Sequence, residues 1–147
     1  MTRVLVIGDV HEPASHPGYL AFCRHLAAKW NPDRVVFIGD ILDHHAVSFH
    51  ASEPDAPGAE DEAEQTRRLV SRWHDSFPGA TVTVGNHDER VHRMAASVNV
   101  PARFIREFSD VWGTPSWKWV RDSKCYSIDA SATTSVVVET RKTKRRK

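Results

Sequence analysis

Residues 3–9 read "RVLVIGD", and residues 34–40 repeat the pattern as "RVVFIGD". Each is an Arg, four apolar residues and then Gly-Asp. A third version, "ATVTVGNHD", occupies residues 80–88. Short runs rich in Val and Ile that end in glycine read as strands of a parallel sheet, buried on both faces. The polar residues behind each glycine then sit at the carboxyl ends of the strands: Asp9 and His11, then Asp40 and Asp43, then Asn86, His87 and Asp88.

The segments between these runs have a different period. In "HPGYLAFCRHLAAKW", Tyr19, Cys23, Leu26 and Trp30 recur at helical spacing, and Asn31-Pro32 stops the pattern. In "EDEAEQTRRLVSRWHDSF", Thr66, Leu69, Val70, Trp73 and Phe77 share one face, and the acidic first turn suits a helix N-terminus. Strand, helix, strand, helix, strand predicts an α/β fold, a layered sheet with flanking helices. Beyond the third run, "DERVHRMAAS" predicts a short helix, and a second is expected to start at Pro101 and run through Phe104, Ile105 and Phe108. Residues 41–59 show no period and read as a long loop.

In open α/β sheets, ligands bind beyond the carboxyl ends of the strands. A mixture of carboxylate, imidazole and amide oxygen there suits Mn, Fe, Zn or Ni better than Ca. A central carboxylate can bridge two such ions about 3.5–4 Å apart, an arrangement that serves phosphoryl chemistry.

"GDVH", "GDILDHH" and "GNHDE", in that order and each behind an apolar run, resemble the calcineurin-like metallophosphoesterases. Their pattern is Asp-x-His, Gly-Asp-x-x-Asp and Gly-Asn-His-Asp/Glu. The resemblance covers about residues 3–95, with an extension to about 120. It implies a hydrolase that cleaves a phosphate mono- or diester through a hydroxide bridging two divalent ions, Mn first among them and Fe, Zn or Ni after it. By the same resemblance Asp9 and His11 bind the first metal, Asp40 bridges and Asn86 binds the second. His87 acts on the substrate, Asp88 holds His87 in position, and Asp43 buttresses the ligands from behind.

The family pattern continues with further histidines, but the last of the nine histidines here is His92. The matched positions leave three protein ligands at the first metal and two at the second, which is expected to be weak. Composition changes near residue 122. Residues 123–147 hold eight Ser or Thr and one aromatic residue, with a single candidate strand in "TTSVVVE". The domain is therefore expected to span 1–122, as the N-terminal half to two-thirds of the family fold, with 123–147 an atypical segment of the kind expected from truncation or a shifted reading frame. His44, His45 and His50 are candidate replacement ligands. Trp112, Trp117 and Trp119 would form an exposed apolar surface, a route to self-association, if the rest of the fold is missing.

Composition limits the alternatives. The chain has 147 residues, 40% apolar and 27% charged, as in a single globular domain. Net charge is +1, but "TRKTKRRK" at 140–147 holds six of the 20 basic residues, so residues 1–139 carry 14 bases against 19 acids. A basic tail of this kind can attract nucleic acid. That supports the alternative to an enzyme, a degenerate phosphoesterase scaffold that only binds. Two cysteines, Cys23 and Cys125, make no disulfide framework. With no apolar run near the roughly 18 residues of a membrane span, a cytoplasmic location without a membrane partner is expected.

Overall fold

The Gly-closed runs form strands. The computed structural model describes residues 2–49 and 55–121, together with the backbone of 135–138. His50, Cys125 and the basic tail lie outside the described residues. In chain order the elements are β1 (Arg3–Ile7), α1 (Tyr19–Trp30), β2 (Arg34–Phe37), α2 (Ala59–Ser76), β3 (Thr81–Thr83), α3 (Arg90–Ser97), a 3-10 turn (Ala102–Phe104), α4 (Phe108–Trp112), β4 (Lys118–Val120) and β5 (Ser135–Val138).

The strands make one sheet in the order β4-β3-β2-β1-β5, every pair parallel. Strand β1 lies between β2 and β5, with Val4 opposite Arg34 on one side and Val136 on the other. Part of "TTSVVVE" is thus an element of the same sheet. Because side chains alternate across a strand, β1 serves both faces. Leu5 and Ile7 join the main core with Phe37 and Val82, while Val4, Val6 and Val36 form a second cluster.

The amphipathic face of α2 packs into the main core through Val70 and Trp73, followed by Phe77 just past its end, and α1 contributes Cys23. Helix α1 stops where the sequence says it should. Asn31 takes a left-handed φ of 43°, its N–H closes on the Ala27 carbonyl at 2.8 Å, and Pro32 follows.

Two readings of the C-terminal third change. The helix expected from Pro101 is broken: Ala102–Phe104 is a single 3-10 turn, Ile105 is extended and α4 starts only at Phe108. "WGTPSWKW" runs into strand β4, whose three residues are too few to show a period. The tryptophans are also interior. Trp112 and Trp117 are buried and Trp119 packs against the core, with the Trp117 indole donating to the Phe77 carbonyl at 2.7 Å. The chain covers this surface itself, so these tryptophans give no ground for self-association. No helix among the described residues is long and apolar enough to cross a membrane.

Candidate metal centre

Parallel strands deliver their carboxyl ends to one edge, and the loops after β1, β2 and β3 meet there. Backbone bonds join the first two: His11 N–H donates to Asp40 O and Glu12 N–H to Ile41 O, both at 2.8 Å, and Asp43 N–H returns to Glu12 O at 2.9 Å. The third loop is tied in by Asp88. Its buried carboxylate accepts N–H bonds from Asp40 (2.9 Å), Leu42 (2.9 Å) and Gly85 (2.8 Å). Burial pushes the Asp88 carboxyl upward, against the pull of those N–H donors.

Close approach of these loops requires glycine at two points. A Cβ on Gly39, whose φ is 101°, would lie 2.8 Å from Gly85 Cα, and a Cβ on Gly85 would overlap the backbone nitrogen of Asp40. Asp9, His11, Asp40 and His44 have φ of 50–53°, in the left-handed region that residues with a side chain rarely enter. Such backbone strain clusters where a fold must aim side chains at a ligand.

The result is a convergence. One potential ligand atom each from His11, Asp40 and His87 lie within 4.8 Å of one another. Asp40 Oδ1 accepts the His87 backbone N–H at 2.9 Å. The His11 and His87 rings meet edge to face, centroids 4.5 Å apart. Behind both rings stands Asp43, with Oδ1 3.2 Å from His11 Nδ1 and 3.2 Å from His87 Nδ1. A carboxylate on Nδ1 fixes the ring and leaves the Nε2 lone pair of His11 outward, as metal-ligating histidines require. Asp9 Oδ1 lies 3.8 Å from that Nε2. The donor set fits a divalent ion of the Mn, Fe or Zn type.

Other assigned residues stand differently. Asn86 is exposed and its backbone carbonyl accepts from Arg93 at 2.9 Å. Asp88 was expected to hold the His87 ring, but its carboxylate is spent on the three backbone N–H groups, and Asp43 touches that ring instead. Of the candidate replacement ligands, His44 is buried, its Nδ1 3.1 Å from the His87 carbonyl, and burial lowers its pKa. His45 is exposed.

Three ionisable residues carry roles that sequence reading missed. Buried Glu62 accepts the N–H groups of His45 (2.6 Å) and Ala46 (2.7 Å), shaping the loop behind the site. Buried Glu12 accepts the Trp73 indole N–H at 2.8 Å. Arg90 donates to the carbonyls of Asp43 (2.7 Å) and His44 (3.1 Å) and approaches His87 Nε2 at 3.2 Å. Each has an ionisable side chain, and in sequence each looks like ordinary helix or loop surface.

The sequence profile of the calcineurin-like phosphoesterases matches residues 2–142. No curated protein and no solved structure matches the chain.

Proposed function

The chain belongs to the calcineurin-like phosphoesterases, and on that premise we propose that it hydrolyses a phosphate mono- or diester at the strand-end site. The observation that carries the reading is the convergence of His11, Asp40 and His87, with Asp43 bracing both rings. His11, Asp40 and Asp9 would hold a first divalent ion. Asp40 with Asn86 would hold a second and weaker one. Mn is the first candidate, with Fe, Zn or Ni next.

Ions bound there supply Lewis-acid polarisation of the phosphoryl group and a water acidic enough to act as nucleophile near neutral pH. The protein's own contribution is positional. Asp43 orients the rings, Asp88 ties the loop backbones, and His87 meets the substrate near its leaving oxygen. The acidic body is no obstacle to an anionic substrate, because divalent ions invert the local charge.

The test is hydrolysis of an aryl phosphodiester and an aryl phosphomonoester with added Mn. The expected result is turnover that Asp40→Ala abolishes together with bound metal. The second reading, a scaffold that binds without catalysis, is favoured by the exposure of Asp9 and Asn86, which leaves them less firmly set than the inner three. Absence of turnover of both esters at every Mn concentration, with metal bound, would decide for it.

A further inference from the structure

Both nitrogens of the His87 ring are already engaged, and their partners fix its proton. Nδ1 lies 3.0 Å from the backbone carbonyl of Asp43, which can only accept. Nε2 lies 3.2 Å from Nη2 of Arg90, which can only donate. Each contact separately places the proton on Nδ1 and the lone pair on Nε2, under the guanidinium. The other arm of Arg90 is anchored on Asp43 O and His44 O, so the fork is fixed at both ends.

Arg90 is also the first residue of α3, where the helix dipole opposes a cation. A local preference set aside at a site usually marks a task there. Asp40, His11 and His87 are close enough to ligate together, yet a lone pair that accepts from a guanidinium cannot also bind a metal ion. A divalent ion at that nitrogen would besides be repelled by the adjacent positive charge.

Resting on the metal-site reading above, we propose that Arg90 is a positioning residue that withholds His87 from the metal. The first ion is left to His11, Asp40 and Asp9, and the His87 ring is held clear of it. Removing the guanidinium frees Nε2 to become an additional ligand.

The experiment follows Co binding and its visible absorption in the full chain, with thermal melts confirming that each variant is folded. In the wild-type background, His87→Ala is expected to change the dissociation constant by less than about threefold. Arg90→Met should tighten Co binding about tenfold and strengthen the absorption, and His87→Ala added to it should cancel both effects. Arg90→Lys keeps the positive charge but offers one ammonium where the guanidinium reaches both the carbonyls and Nε2, so its Co affinity should fall between wild type and Arg90→Met. In the metal-free protein at about pH 8, where an ordinary histidine is neutral, nitrogen NMR should show His87 protonated on Nδ1.

A wild-type loss of about tenfold or more on His87→Ala would make His87 a ligand despite Arg90 and overturn the inference. So would an Arg90→Met variant whose Co affinity does not depend on His87, or a wild-type ring protonated on Nε2. Failure of every variant to bind Co would instead overturn the metal-site reading, and this inference with it.

Discussion

His11 and His87 are half-buried in the strand-end loops, while Asp9 and Asn86, on the same loops, are exposed. The inner side chains are 28% and 22% exposed, and both rings are braced by the carboxylate of Asp43. The Asp9 side chain is 68% exposed and Asn86 is exposed as well. The difference lies in what holds each donor. The inner group is set by the fold before any ion arrives. The outer pair must lose side-chain freedom when an ion binds, which weakens the net gain from each contact. Metal binding at a site built in this way should depend steeply on Asp40 and His11 and on whatever ties their loops, and only moderately on Asp9 and Asn86.

The largest effect is expected at Asp88, which joins the three loops. Asp88→Ala strands three backbone N–H groups in a buried position and should cost about 3–5 kcal/mol in urea unfolding of the metal-free protein. Asp88→Asn should be milder. Its amide oxygen can still accept from Asp40 and Gly85, while its NH2 faces the Leu42 N–H and repels it. Equal and small losses for both variants would show that the loops are held by other means.

Next come the proposed ligands. Asp40→Ala should weaken Mn binding more than about 100-fold and Asp9→Ala only about tenfold, read by calorimetry, a difference of roughly 1.4 kcal/mol. Equal losses would erase the distinction between inner and outer donors. Two tight, equivalent sites in the wild type would mean that the second ion is held by more than Asp40 and Asn86. A smaller effect is expected at Gly85. Gly85→Ala would push a Cβ into the Asp40 backbone nitrogen, and relief by loop movement should cost about 1–3 kcal/mol and loosen Mn binding. An unchanged Mn affinity in that variant would show that Asp40 tolerates displacement.

The sequence made the inner framework legible because two independent signals coincide there. Apolar runs closed by glycine locate the strand ends, and the metal-type residues follow immediately, as in "GDVH" and "GNHDE". Helices α1 and α2 were legible because 12 and 18 residues are long enough to show a period. Strand β4, with three residues, is too short for that. The break after Phe104 is set by tertiary packing, which buries Phe108 and leaves Phe104 exposed. Contacts between loops distant in sequence were not legible either. Nothing in "HDE" says whether Asp88 turns toward His87 or toward the backbone of Leu42, 46 positions earlier. Glu62 looked like a helix-dipole residue, yet it is buried and braces the loop at His45 and Ala46. Arg90 follows the most informative motif in the chain, and its role becomes visible only once the 43–44 carbonyls are placed beside it.

The smallest predicted effect concerns the wall behind the inner group. His44 is buried against Trp112, and desolvation holds its pKa below the ordinary value of about 6.5, outweighing the favourable bond to the His87 carbonyl. As pH falls below 6.5, the unfolded chain binds a proton that the folded protein resists, so stability declines until the lowered folded value is passed. Above 6.5 neither state is protonated and this dependence vanishes. The metal-free protein should therefore lose up to about 1.4 kcal/mol per pH unit through this group across that window. His44→Asn separates the charge from the contact, since its amide nitrogen can donate where Nδ1 does and does not titrate. The variant's melting temperature should fall less than the wild type's between about pH 7 and pH 5. The metal-free state excludes loss of an ion as the cause, and His92, whose pKa is also lowered by burial, contributes equally to both proteins. Identical pH dependence in the two would mean that His44 is solvated in solution, and that the wall behind His87 is less closed than its burial indicates.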